Sequence, residues 1–324
     1  MLEKDIFSIT SEEDFEALAL KIFRFQHENV KVYREFCDLL KIDPSKINNS
    51  ANIPFLPIQF FKSHKVILKG LSEETIFTSS GTTGSITSKH FVANLPLYER
   101  SFSQAFKENY GDPSEVVILA LLPSYLEREG SSLIYMVDWL IKKSNNPHSG
   151  FYLHDTDALI EKLRFLESQK IKTVLVGVSY ALLDLIEKQP FQLENTIVME
   201  TGGMKGKRKE LVKEELHEIL KKGFGVSEIH SEYGMTELLS QAYSHSKGIF
   251  TTPPWMKVLI RDPEDALTLV TAKTGGINVI DLANLYSCSF IATQDLGKKY
   301  SDNSFEILGR FDTSDIRGCN LMVL

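Results

Sequence analysis

Cysteine is scarce: only Cys37, Cys288 and Cys319 occur among 324 residues. An odd number with no CxxC pair and no Cys/His ligand spacing argues against a disulfide framework and a structural zinc site, and predicts free thiols. Long apolar runs are also missing. The longest, Val116 to Leu122, falls far short of the roughly 20 residues that a membrane-crossing helix requires, so no membrane span is expected. The opening MLEKDIFSITSEED is acidic and lacks the apolar core of a signal peptide, which makes the cytoplasm the expected location. Basic charge is neither abundant nor gathered into a stripe: the formal net charge is −7, and clusters such as KGKRKE at 205–210 read as solvated helix starts. Nucleic acid is therefore not expected as a partner. There is no internal repeat or low-complexity linker, and neither GxxxxGK[ST] nor GxGxxG occurs, which excludes a P-loop and a dinucleotide fingerprint.

What is present is a composition able to bury a sizeable core, with 43% hydrophobic and 10% aromatic residues. Ser11 and Asp14 form a capping-box pattern, and Phe15, Leu18, Ala19, Ile22 and Phe23 recur at helical spacing, predicting a helix that runs to about Leu40. After the proline-punctuated IPFLPIQFFKSH, short aliphatic runs alternate with helical text. VVILALLP precedes SSLIYMVDWLIKK, TVLVGVS precedes YALLDLIEK, and TIVMETGG precedes KRKELVKEELHEILKK. That alternation predicts βα units, an α/β fold and a largely parallel sheet. From about Thr268 the text becomes strand-rich, predicting an antiparallel or barrel-like end. The expected organisation is a helical lead-in over 1–50 packed on an α/β body over 51–267, with a β-rich part over 268–324 in the same structural unit.

The most unusual stretch is FTSSGTTGSITSKH, Phe77 to His90. Glycines at 81 and 84 let backbone N–H groups converge, Ser79, Ser80, Thr82 and Thr83 add hydroxyl donors, and Lys89 adds a cation, a combination suited to a triphosphate. A polar hairpin loop has the same composition, and composition alone leaves both readings open.

Further motifs accompany this stretch. It resembles the [FY]TSG[ST]TGxPK loop of the acyl-adenylate-forming superfamily, and SEYGMTEL at Ser231 to Leu238 resembles that superfamily's YGxTE signature. IATQDLG around Asp295 is similar to its T-x-D-L-G element, and ILGRFDTSDIRG at Ile307 to Gly318 to its G-R-x-D-D hinge. Within the superfamily, IPFLPIQFFKSH, SSLIYM, METGGMKGKRKE and the final RGCNLM look like the acyl-protein synthetase branch, the fatty-acid-activating component of the bacterial luminescence aldehyde system.

This resemblance implies an adenylate-forming N-terminal-domain-like fold of layered parallel sheets with helices. It also implies ATP-dependent activation of a carboxylic acid, with Mg²⁺. Carried over, Thr78, Ser79, Ser80, Gly81, Thr82, Thr83, Gly84 and Lys89 would hold the β- and γ-phosphates. Gly202 and Gly203 would let the backbone approach the adenine edge, Tyr233 would stack on adenine with Gly234 following it, and Thr236 would contact the α-phosphate. Glu237 would ligate Mg²⁺, Asp295 would accept from the ribose hydroxyls, and Arg310 would lie beside ribose or phosphate. Each has a plainer reading: Tyr233 as a packing residue, Glu237 in the first turn of a helix near Met235, Gly202-Gly203 and Asp295 as turn formers, and Arg310 as a surface ion-pair partner of Asp312.

Two departures stand out. The sequence ends at Leu324, so the family's small mobile C-terminal domain with its catalytic lysine is expected to be absent, and Lys89, Lys205 or Lys207 would have to supply that cation. In its place stands Cys319, which the resemblance makes an acyl acceptor ahead of an acyl reductase or other acyl-accepting protein. The plainer reading packs it in a terminal strand, while Cys37 and Cys288 read as core residues.

Other functions share parts of this text. Gly177-x-Ser179-x-Ala181 between a strand and a helix has the layout of a hydrolase nucleophile elbow, although Ser179 also reads as a helix N-cap. A nucleotide-binding subunit without catalysis would keep the same motifs. Tyr125, Tyr135, Tyr180 and Met204 are candidates to line an acyl tunnel. A medium or long fatty acid is the expected substrate, with an aryl acid and coenzyme A as the alternative.

Overall fold

The computed structural model describes residues 2–79, 86–123, 130–202, 208 and 211–311. Three of the predicted strands form as Val117–Leu121, Thr173–Val178 and Thr196–Thr201, paired parallel and joined by Gly150–Phe151 on one side and His230–Tyr233 on the other. Both long aliphatic runs are buried along their whole length. That accounts for their continuous rather than alternating apolar text, because helices cover both faces of a parallel sheet. The covering helices include Ser132–Ser144, Thr156–Ser168, Ser179–Lys188 and Lys213–Phe224.

Beyond His230–Tyr233 the pairing turns antiparallel. The sheet continues through Ala242–Ser244, Ile249–Thr251, Phe305–Arg310, Phe290–Lys299, Gly275–Asp281 and Met256–Arg261 to Leu269–Val270, and Leu56–Pro57 pairs parallel with Phe290–Lys299 as a thirteenth described strand. The β-rich end thus begins near Ala242, earlier than expected, and it shares one hydrogen-bonded sheet with the βα units. The layered parallel sheets of the sequence reading reduce to one parallel half and one antiparallel half. The only pairing outside this sheet among the described residues joins Thr75–Thr78 to Lys89–Val92 as an antiparallel hairpin.

The N-terminal helix is real but shorter than predicted. Ser11 accepts from the Asp14 N–H at 3.1 Å and Asp14 accepts from the Ser11 N–H at 3.1 Å, closing the capping box of Glu12–Asn29. The chain then breaks at Val30, whose extended backbone lets its fully buried side chain point inward before a second helix, Lys31–Leu39, begins. Gln26 binds this helical layer to the antiparallel half. Its amide donates to the carbonyls of Asn284 and Leu285 at 3.0 and 2.9 Å, and its oxygen accepts from the Ser289 N–H at 3.0 Å.

Other local expectations shift. The helix predicted from KRKE starts only at Lys213. The Thr156–Ser168 helix is capped by Asp155, which accepts from the Ala158 N–H at 3.0 Å. Cys37 and Cys288 are fully buried core residues, as expected, and burial raises the Cys37 thiol to about 12.

Candidate active site

The Ser/Thr/Gly-rich segment sits at the tip of the hairpin, with Thr78 opposite Lys89. Ser79 and Ser88 close its base: the Ser79 N–H donates to the Ser88 carbonyl at 3.1 Å, and the Ser88 N–H donates to Ser79 Oγ at 2.9 Å. Thr78 N–H donates to the Gly130 carbonyl at 2.7 Å, fixing the other flank. Ser80, Gly81, Thr82, Thr83 and Gly84 lie outside the described residues, as do Gly203, Lys205, Lys207 and Cys319.

The hairpin base meets the second motif directly. His90, fully buried, places Nδ1 2.8 Å from the carbonyl oxygen of Thr236. The Glu237 carboxyl is also buried, and Ser88 is near enough to favour its charged form. Asn284 Nδ2 donates to the Glu237 carbonyl at 2.8 Å. Burial pushes the Glu237 carboxyl above its ordinary range, against the pull of Ser88 and the fields of Arg310 and Lys62. Residues 234–241 form turns and no helix, so the first-turn explanation of Glu237 falls. The segment is held by Asp281, which accepts from the N–H groups of Leu239 and Ser240 at 2.7 and 3.0 Å and from Ser240 Oγ at 2.6 Å.

A second set of contacts joins the same motif to the antiparallel half. The Tyr233 hydroxyl donates to Asp295 Oδ2 at 2.8 Å, while Arg310 Nε lies 3.3 Å from Asp295 Oδ1. Tyr233 is only 8% exposed, its ring edge-on to Phe250 and Phe305 at 5.9 and 5.8 Å. Asp295 belongs to a strand, not to a turn, and faces Arg310 in register. The glycine that follows at 297 has a packing reason: a Cβ there would stand 2.4 Å from the Glu306 carbonyl. Arg310 pairs with Asp295; Asp312 lies outside the described residues. The Arg310 side chain is 73% exposed.

Gly202, the last described residue of its segment, has a positive φ of 62° and accepts from Ser179 Oγ at 2.8 Å. Ser179 also lies 3.4 Å from Glu200 and caps no helix, since the Ser179–Lys188 helix has Val178 at its cap without a side-chain bond. The N-cap reading is therefore replaced by a buried brace. Gly177 is explained by packing, because a Cβ there would stand 2.8 Å from Leu182 Cδ2. No histidine contacts Ser179 among its described bonds, which leaves the hydrolase elbow without its base.

Glu200 accepts from Lys213 Nζ at 2.8 Å, with His217 Nε2 at 3.5 Å. Burial alone would raise its carboxyl, yet Lys213 and the hydrogen bonds from His217 and Ser231 hold it down at about 2. On the next strand burial drives Glu232 the other way, up to about 7, despite a bond from Thr201.

One cavity of about 510 Å³ is lined by Arg100, Lys107, Trp139 and Lys143, and no described motif residue lines it. Of the proposed acyl-lining residues, Tyr135 packs beside Phe77 and Tyr98 at the hairpin, Tyr180 is half-buried, and Tyr125 and Met204 lie outside the described residues. Among the described residues no group of three or more His, Cys, Asp or Glu side chains could hold a metal. No described helix is long and apolar enough to cross a membrane.

Sequence reasoning missed Lys62, Ser88, His90, Asp281 and Asn284. Ser88 and His90 lay inside the stretch that drew attention, and Lys62 inside IPFLPIQFFKSH. Nothing local marks Asp281 or Asn284.

The family model for LuxE, acyl-protein synthetase, matches residues 3–123. That segment is similar to the acyl-protein synthetases. The chain is 35% identical over 68 residues to a long-chain-fatty-acid–luciferin-component ligase from Photorhabdus luminescens, a match spanning 21% of this chain and 58% of that relative. Its fold is similar to those of two solved proteins. A 2-hydroxyisobutyryl-CoA ligase, in an open conformation with 2-HIB-AMP and CoA, superposes with a TM-score of 0.67 at 13% identity, covering 94% of this chain and 72% of that one. ATP-bound MatB from Rhodopseudomonas palustris gives 0.54 at 19%, covering 72% of this chain and 47% of that one. At such identities these two likenesses concern the fold alone.

Proposed function

We propose that this protein activates a carboxylic acid, a fatty acid in the simplest case, as an acyl-adenylate. A carboxylate oxygen attacks the α-phosphorus of ATP, the bond from that phosphorus to the bridging oxygen breaks, and pyrophosphate leaves with the electron pair. The step needs neutralised charge and alignment more than proton transfer. The observation that carries the reading is the joining of the hairpin base to the Thr236–Glu237 pair through His90, with Ser88 close to the Glu237 carboxyl. It brings the segment with the phosphate-cradle composition to an acid suited to a hard cation.

In this reading Thr78 to Lys89 cradle the β- and γ-phosphates, Thr236 meets the α-phosphate, and Gly202 with Gly203 borders adenine. Asp295 has lone pairs to spare beyond Tyr233 and Arg310, enough for ribose hydroxyls. Tyr233 offers adenine only the edge left by its packing. A magnesium ion fits here as a phosphate-held cation with Glu237 as a single protein carboxylate, the usual mode for Mg²⁺. When bound it would offset negative charge on the phosphates. Lys62 and Arg310 are cations already felt at Glu237; Lys89, opposite Thr78, adds a third at the hairpin.

The second half-reaction transfers the acyl group to a thiol. A thiolate attacks the acyl carbon, the carbon–oxygen bond to AMP breaks, and AMP leaves. Cys319 is the proposed acceptor in this chain, with an acyl reductase or another acyl-accepting protein downstream; coenzyme A is the alternative.

ATP–pyrophosphate exchange across a panel of fatty and aryl acids tests the first half, with Mg²⁺ present and withheld. Exchange dependent on one acid class supports the reading, and absence of exchange with every acid rejects it.

A further inference from the structure

The hairpin that precedes helix Leu95–Tyr110 is fastened to the Thr236–Glu237 pair through one fully buried imidazole, and the chemistry of that contact is unusually constrained. His90 lies beside Lys89 at the end of the segment with the phosphate-cradle composition. Its Nδ1 faces the Thr236 carbonyl oxygen at 2.8 Å, an atom that can only accept. Its Nε2 faces Asn284 Oδ1 at 3.1 Å. The Asn284 amide cannot turn to help, because its Nδ2 already donates to the Glu237 carbonyl at 2.8 Å. A flip would set two oxygens against each other there. Asn284 is itself anchored through its backbone carbonyl, which accepts from the buried Gln26 amide at 3.0 Å.

Both ring nitrogens therefore look onto acceptors, and a neutral imidazole has one proton to give. Burial holds the ring neutral down to about pH 4. The proton belongs on Nδ1: the peptide carbonyl of Thr236 has no other side-chain donor among the described bonds, whereas Asn284 is fixed by two bonds of its own. Phe61 lies edge-on to the ring at 5.6 Å and keeps it from rotating freely. The groups that meet the ring are Thr236 and Asn284 by hydrogen bonding and Phe61 by ring contact, and none of them carries charge.

We propose that His90 is a positioning residue for adenylate formation: as the Nδ1–H tautomer it sets the Thr236 peptide, and through it the Thr236 hydroxyl and Glu237 carboxyl, relative to the hairpin. The proposal rests on the reading of the site given above. A peptide misplaced by about an ångström between two reactive groups is the kind of error that can cost a hundredfold in rate. His90 itself touches no substrate; it acts through Thr236.

The two amide side chains separate this role from simple packing. Asparagine at 90 places a donor where Nδ1 stands, and glutamine places one where Nε2 stands, at similar polarity. The test measures ATP–pyrophosphate exchange for H90N and H90Q, together with thermal melting of each. We expect H90N to keep kcat within about threefold of the parent protein, and H90Q to lose at least about tenfold in kcat with KM for the acid little changed. Equal kcat values for two variants that melt alike overturn the proposal. Ring ¹⁵N NMR of the unmutated protein provides a check that needs neither variant nor catalysis: the Nδ1–H tautomer supports the proposal, and the Nε2–H tautomer overturns it. Absence of exchange in the unmutated protein with every acid rejects the adenylation reading and leaves the NMR result to decide the contact itself.

Discussion

Tyr233 and Asp295, 62 positions apart in the chain, are joined by a 2.8 Å hydrogen bond from the phenol to the carboxylate. The bond ties the strand carrying the YGMTE motif to the antiparallel half of the sheet. It also leaves the other oxygen of Asp295 facing Arg310. Removing the hydroxyl with Tyr233→Phe leaves a largely buried carboxylate with one partner fewer, at a cost of about 1–3 kcal/mol. We expect a modest loss of thermal stability and a KM for ATP raised about tenfold, with smaller effects on the acid, measured by steady-state exchange. An unchanged KM for ATP would separate Asp295 from the ribose.

Glu237 is held above its ordinary carboxyl range by burial, so its negative charge is unfavourable to the resting fold. Glu237→Gln keeps the shape beside Ser88 while deleting the charge. The expected result is a protein at least as heat-stable as the parent that loses its magnesium-dependent exchange by about a hundredfold or more. A variant with full activity at ordinary magnesium concentration would rule out a metal-binding role.

Glu200 makes acid stability testable. Its folded-state carboxyl is held at about 2, below the unfolded value of 4.5. A depressed carboxyl contributes stability that is fully present above the unfolded value and is lost as pH falls towards the folded one. The window is pH 4.5 to about 2, and the contribution is on the order of 3 kcal/mol. Lys213→Met removes the ion-pair partner at 2.8 Å. Denaturant unfolding as a function of pH should show the variant destabilised near neutrality and flatter than the parent in that window. Parallel curves would contradict the pairing.

Cys319 is tested by mass. After incubation with ATP, Mg²⁺ and the accepted acid, the parent protein should gain one acyl group, removable by hydroxylamine. Cys319→Ser should lose that adduct while exchange continues. Cys37 and Cys288 are buried and their thiols are raised by burial, so neither is positioned to substitute. An adduct that survives the serine substitution would remove the tail from the pathway.

Much of this molecule was legible in one dimension. The strands at 117–121 and 173–178 announced themselves as apolar runs because both of their faces are covered. The capping box at Ser11 was readable because a cap is a contact between residues three apart. The break at Val30 was not, since it depends on what Val30 meets inside the core. Asp295 looked like a turn because Asp and Gly favour turns; Gly297 is instead required by a neighbouring strand, whose position no local rule reports.

The sequence by itself determined the inventory: a hydroxyl-rich, glycine-spaced segment, a Tyr-Gly-Met-Thr-Glu run, an acid before Leu-Gly, and the α/β alternation that carries them. Only the tertiary structure decided that His90 and Ser88 reach Thr236 and Glu237, that Asn284 locks them, and that Tyr233, Asp295 and Arg310 form one chain of contacts. Residue types and their spacing along the chain follow local rules of pattern and propensity. Contacts between residues distant in the chain depend on strand order and register, which emerge only when the whole sheet closes around its core.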